Sequence, residues 1–82
     1  MSIESIRKEI DAVDDELVAL LKARFELSRA IGEEKKRKSL PVYDAEREGL
    51  LLSRLEQKAA PYGGEVRALY EKIMELSRKL QR

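Results

Sequence analysis

The chain has 82 residues, no cysteine, no histidine, 40% charged residues and a net charge of only +1. That length allows one small domain (residues 1–82) with a limited core. The missing residue types exclude disulfides, thiolate or imidazole metal ligands and the commonest general base, so a second protein chain is the remaining source of stability.

A dense but balanced charge mixture reads as helix surfaces carrying ion pairs, not as a nucleic-acid-binding field. No apolar run approaches ~18 residues, so no membrane span is expected. The N-terminus lacks the basic-then-apolar order of a signal peptide, and a cytoplasmic protein is the expectation. Asn and Thr are absent and Gln occurs twice, a composition met in thermophilic proteins.

Pro41 and Pro61 stand beside other helix breakers, Ser39 before the first and Gly63 and Gly64 after the second, and cut the chain into three segments. The first, from about Ile3 to Lys38, has apolar residues at Ile3, Ile6, Ile10, Val13, Leu17, Leu20, Leu27 and Ile31. Steps of three and four make this a helical seam. Ser2 is the expected N-cap with Glu4 in the first turn, and Lys35 to Lys38 crowd the last turn, where cations suit the helix dipole. The second helix is expected from Asp44, a capping type, to just before Pro61, with its stripe at Leu51, Leu52, Leu55 and Ala59. The third is expected from after Gly64 to the end, with Val66, Leu69, Tyr70, Ile73, Met74 and Leu80 on its stripe.

The first helix is roughly 50 Å long at its expected extent. A compact globule of this size has a radius of gyration near ~12 Å. The helix must therefore project from any monomeric fold with its seam exposed. An all-α fold of one long and two shorter helices per chain, paired as an intertwined homodimer with a six-helix bundle, is the economical solution.

Four polar residues interrupt these stripes. Arg24 falls on the first seam, Glu48 extends the second stripe backwards by one turn, and Ser77 and Gln81 continue the third. Buried polar side chains cost free energy unless satisfied, so these four either satisfy one another or line a pocket for a polar ligand. Singly, each has an ordinary explanation: a register device, a snorkelling side chain, a solvated chain end. An Asp44–Glu48 pair at a helix start and a basic turn at Lys35 are ordinary too. Their coincidence on three helices points to a site. Arg24 and Lys35 share a face about 16 Å apart along the axis, a span over which two long side chains can grip one small anion. Arg7 lies about 25 Å from Arg24 and reaches the same ligand only if it comes from another, antiparallel chain.

These residues resemble the all-α class of chorismate mutases over nearly the whole chain. The matching motifs are Ile6-Arg7 followed by Ile10-Asp11-Ala12-Val13-Asp14; Leu20-Leu21-Lys22-Ala23-Arg24; Ile31-Gly32 followed by Lys35; Pro41-Val42 followed by Asp44, then Arg47-Glu48; and Ser77 followed by Gln81. The ordered set, rather than any one motif, carries the resemblance. It departs from the family in a short connection around Pro61–Gly64, and it stops one residue after Gln81, where the third helix is expected to fray.

The resemblance implies a homodimer with two equivalent sites, each taking Arg7 from the partner chain. It implies the rearrangement of chorismate to prephenate in phenylalanine and tyrosine biosynthesis, with no cofactor and no metal. Arg7, Arg24, Arg47 and Ser77 would hold carboxylates, and Lys35 and Gln81 would donate to the ether oxygen. Glu48 would accept from the ring hydroxyl with backbone near Asp44 helping, and Arg47 would alternatively balance Glu48. Lyase action on isochorismate, releasing pyruvate, is the near alternative. A regulatory module docking on another shikimate-pathway enzyme, or a non-catalytic helical dimer, are the others. Neither nucleic acid nor membrane is an expected partner.

Overall fold

A computed structural model describes all residues, 1–82, and contains three helices: α1 (Ile3–Arg37), α2 (Ala45–Lys58) and α3 (Gly63–Gln81). Local chemistry sets most of their ends. The Ser2 hydroxyl accepts from the Ser5 backbone N–H at 3.1 Å and the Ser5 hydroxyl accepts from the Ser2 N–H at 3.0 Å. This reciprocal capping box satisfies two donors that have no partner inside the helix. Asp44 caps α2 in the same way, its carboxylate accepting from the Arg47 N–H at 3.0 Å.

The end of α1 is a Schellman turn. The Leu40 N–H donates to the Lys35 carbonyl at 2.8 Å and the Ser39 N–H to the Lys36 carbonyl at 3.2 Å. Ser39 occupies the left-handed position of that turn, with φ 55°.

The third helix begins earlier than its glycines imply. Gly63 and Gly64 are its first two residues, with Tyr62 as an N-cap that makes no side-chain capping bond. Gly63 is explained by proximity: a Cβ there would lie 2.8 Å from the Glu56 carbonyl oxygen, so its absence lets α3 start tight against α2. At the other end helical structure runs through Gln81, and the Arg82 N–H still donates to the Lys79 carbonyl at 3.3 Å.

α3 packs on both α1 and α2, while α1 and α2 do not meet. The core is correspondingly small, with Leu51, Ile73 and Met74 its buried apolar residues. On α1 the buried residues are Ser28 and Gly32, with Leu21, Arg24 and Phe25 half-buried. These recur at helical spacing and form a face adjacent to the Ile3–Ile31 seam. Hence α3 packs on this face, whose two buried residues are small, and leaves the apolar seam open. Ile10, Val13 and Leu27 are 51%, 58% and 65% exposed, and every residue from Met1 to Leu20 is exposed. On α3, Leu69 and Leu80 of the expected stripe are also exposed. The chain measures 54 × 23 × 15 Å with a radius of gyration of 15.7 Å, well above the ~12 Å of a compact chain of this size. No helix is long and apolar enough to cross a membrane.

The Ser39 conformation yields a test. The left-handed region costs a non-glycine residue roughly 1–2 kcal/mol, and glycine loses about 0.5–1 kcal/mol more backbone entropy on folding. Ser39→Gly should therefore stabilise the fold by about 0.5–1 kcal/mol, read as a higher urea midpoint at fixed protein concentration with unchanged slope. An unchanged or lower midpoint would show that Ser39 carries no strain.

Candidate functional site

The C-terminal half of α1, the connection after it, the start of α2 and the end of α3 enclose an open cleft of about 390 Å³. Arg24, Ser28 and Lys35 line it from α1, and Val42 and Asp44 from the connection. Arg47, Glu48 and Leu51 come from α2, and Met74, Ser77 and Gln81 from α3. Of the eight residues singled out in the sequence, seven meet here: Arg24, Lys35, Asp44, Arg47, Glu48, Ser77 and Gln81. Arg7 does not, because it sits on the projecting half of α1, about 25 Å along the axis from Arg24.

The polar interruptions of the stripes do two things at once: they bond to one another and they line the cleft. Arg24 donates to the Ser77 hydroxyl at 2.7 Å, and its guanidinium lies 5.6 Å from the centre of the Tyr70 ring. The ring face attracts the cation and fixes its plane. Lys35 donates to the Gln81 side-chain oxygen at 2.9 Å and to the Val42 carbonyl at 2.7 Å. An ammonium can only donate, so the Gln81 oxygen must face Lys35 and the amide NH2 is directed elsewhere. Lys35 thereby ties together α1, the connection and the end of α3. No buried side-chain nitrogen or oxygen lacks a hydrogen-bond partner.

Glu48 does not pair with Arg47. It accepts from Arg78 at 2.5 Å, and the Arg78 guanidinium lies 5.1 Å from the centre of the Tyr43 ring. The carboxylate in turn holds the Arg78 guanidinium above its ordinary pKa. The physical reason for the correction is helical geometry: adjacent residues point about 100° apart and do not face each other. Arg47 is free for the cleft, while α3 supplies the counter-charge. Sequence reasoning missed Arg78 and Tyr43. The available signal was that an acid on an apolar stripe needs a cation from another element, and Arg78 lies one turn beyond Met74 on α3.

Gly32 sets how closely α3 approaches α1. A Cβ there would lie 2.6 Å from the Gln81 carbonyl oxygen and 2.7 Å from its Cα, both backbone atoms. The last turn of α3 thus rests on the backbone of α1, which brings the Gln81 side chain to Lys35. Three cations (Arg24, Lys35, Arg47) face two carboxylates (Asp44, Glu48) in the cleft, an excess of one positive charge. Fixed donors dominate, with one half-buried carboxylate as acceptor. Such a site suits a small anion that also carries a hydroxyl.

Fold and site together define an all-helical protein whose three helices enclose a cleft lined by cationic donors. The profile of the family described as chorismate mutase type II matches residues 6–82, and the chain belongs to that family. A chorismate mutase structure (form II) from Thermus thermophilus superposes with a TM-score of 0.91 at 33% identity, covering 96% of this chain and 92% of that one. A conserved hypothetical protein from Pyrococcus furiosus superposes with a TM-score of 0.84 at 41% identity, covering 98% and 95%. The bifunctional chorismate mutase/prephenate dehydratase of Aquifex aeolicus is 38% identical over 63 residues, 76% of this chain and 17% of that protein. The chain spans 16–24% of the length of the curated relatives it matches.

The Gly32 contact predicts opposite effects for two glycine substitutions. Gly32→Ala gains ~1 kcal/mol of helix propensity but meets backbone, where overpacking costs about 1–3 kcal/mol. A net loss of about 1 kcal/mol is expected, seen in denaturant titration. Gly49→Ala, whose Cβ meets nothing within 4 Å, should gain up to ~1 kcal/mol. Stabilisation by both would mean that α3 does not rest on Gly32.

Proposed function

We propose that the chain is a chorismate mutase that rearranges chorismate to prephenate, acting as a homodimer. The observation that carries this reading is one cleft holding Arg24 with Ser77, Lys35 with Gln81, and Glu48. Chorismate carries two carboxylates, a ring hydroxyl and an enol ether. In its rearrangement the ether C–O bond breaks as a C–C bond forms, within one molecule. Neither a nucleophile nor a proton carrier is required, which fits a chain without Cys or His.

The residues divide the substrate between them. Arg24 and the partner's Arg7 take the carboxylates as planar forks, with Ser77 adding a hydrogen bond and Arg47 a further contact. The ammonium of Lys35 and the amide NH2 of Gln81 donate to the ether oxygen as negative charge grows there. Glu48 accepts from the ring hydroxyl, with backbone near Asp44 helping. Fixed donors of this kind are worth about 3–4 kcal/mol each. Two of them together with restriction to the reactive conformer reach the ~8 kcal/mol of a modest enzyme. The bond from Lys35 to the Gln81 oxygen supports these roles, because it leaves the amide donor free.

The dimer rests on the open seam. α3 packs only on the C-terminal half of α1, so Ile3, Ile6, Ile10, Val13 and Leu17 have no cover within the chain. A second copy running antiparallel along α1 covers them and carries its Arg7 towards the cleft. A cytoplasmic location goes with this biosynthetic reading. Lyase action on isochorismate uses the same donors and is distinguished by its product.

The direct test is the loss of chorismate absorbance on adding the protein, with the product identified as prephenate; release of pyruvate from isochorismate instead would favour the lyase. Sedimentation should show a dimer through the micromolar range, and an active, helical monomer there would overturn the assembly. Arg7→Ala and Lys35→Ala chains should each be inactive alone. After exchange, one site of each heterodimer carries both defects and the other neither, so roughly a quarter of the sites in an equal mixture are intact. No recovery despite demonstrated exchange would mean that each chain builds its own site.

Gln81→Glu tests the ether-oxygen role. At neutral pH the new carboxylate would pair with Lys35 and repel the developing charge, so activity should fall. The ammonium beside it favours the charged form and holds the new carboxyl below the ordinary glutamate value of ~4.3. Activity should therefore return only as pH drops towards that range, whereas the parent should change little between about pH 5 and 9. Full activity of Gln81→Glu at pH 8 would remove Gln81 from the breaking bond.

A further inference from the structure

Glu48 is the carboxylate of α2 that lines the cleft, and it poses a problem. It is half-buried, with its side chain 19% exposed, and it lines a cleft that otherwise favours anions. An unpaired carboxylate in that position would be poorly solvated and would repel an anionic substrate. Arg78 resolves both difficulties from behind. Its guanidinium donates to Glu48 at 2.5 Å, its own side chain is 26% exposed, and it does not line the cleft. Tyr43, from the connection before α2, lies against the same guanidinium at 5.1 Å. Arg78 is thus held between an aromatic ring and the carboxylate, on the turn of α3 that also carries Ser77 and Gln81.

We propose that Arg78 is a positioning residue for Glu48: it fixes one carboxylate oxygen and offsets the carboxylate's charge, so that the other oxygen is presented to the substrate's hydroxyl. The proposal rests on the reading of the cleft as a chorismate site. Tyr43 takes part by limiting the orientations of the guanidinium. Arg78 touches no reacting atom. Its influence passes entirely through Glu48, and so must disappear when Glu48 no longer needs it.

That property separates positioning from a general role in holding the helices together. Steady-state kinetics on chorismate are measured for the unaltered dimer and for Arg78→Met, Glu48→Gln and the Arg78→Met/Glu48→Gln double variant, with a thermal melt of each. Arg78→Met should lower kcat/KM by about tenfold or more, as for partners that orient a functional side chain. In the Glu48→Gln background, where the neutral amide needs no counter-charge, the same substitution should change kcat/KM less than about twofold, a strongly non-additive cycle. Arg78→Lys keeps the charge but not the fork and should recover part of the loss, and it replaces Arg78→Met in the cycle if the methionine variant does not fold.

Equal fold losses in the two backgrounds would overturn the proposal, since Arg78 would then act independently of Glu48. No loss with Glu48 intact would overturn it as well. An unaltered protein that leaves chorismate unchanged would instead overturn the reading of the cleft, which keeps the two failures apart.

Discussion

The structure depends on one disproportion: α1 is too long for the chain that carries it. Its 35 residues run the length of the molecule, and the two shorter helices accompany only its C-terminal half. A helix end without tertiary packing is marginal in water even when well capped. Six residues of the whole chain are buried, too few to offset the entropy of ordering all three helices. The capping box at Ser2 and the balanced surface charge favour a helical projecting half, but its apolar seam requires a surface to meet. The same disproportion moves Arg7 out of reach of its own cleft. The exposed seam and the distance of Arg7 from the cleft therefore have a common physical origin.

α3 converts this open arrangement into a site. Because the backbones of α1 and α2 do not approach each other, Arg24 or Lys35 on one side and Glu48 on the other are related through α3 and through the connection that Lys35 holds at Val42. Its last two turns carry side chains to both neighbours: Ser77 and Gln81 towards α1, Arg78 towards α2. Gly32 lets that end approach to backbone contact, and Lys35 fastens it with the bonds to Gln81 and Val42. A cleft built from three helices, with its polar groups bonded across the gaps, is rigid where it needs to be, although the core beneath it is small.

Much of this was legible in the sequence because it follows from local rules. The caps at Ser2 and Asp44, the break at Pro41 and the helix periods are properties of short windows, and the seven cleft residues stood out as polar positions on apolar stripes or by resemblance. What escaped depends on distances between elements. Gly63 and Gly64 read as breakers, yet they begin α3, because the approach to Glu56 is visible only in three dimensions. Leu21, Phe25, Ser28 and Gly32 form the face that α3 covers, but two of them are too small for an apolar count, and the adjacent seam dominates the pattern. Arg78 looked like one more surface cation among many until its partner on α2 was known.

The chemistry then follows from charge placed in advance rather than from reactive groups. In water, dipoles must reorient as charge moves; here Lys35 and Gln81 are already aligned by their own bond and by the tie to Val42. Arg24 is held by Ser77 and Tyr70 before any carboxylate reaches it. Each donor thus has a second partner that sets its direction, and reorganisation is small when substrate binds. In the chorismate mutase reading proposed above, such preorganisation takes the place of the histidine, cysteine and metal-binding clusters that the chain lacks. Glu48 fits the same pattern, its charge offset by Arg78 within the fold.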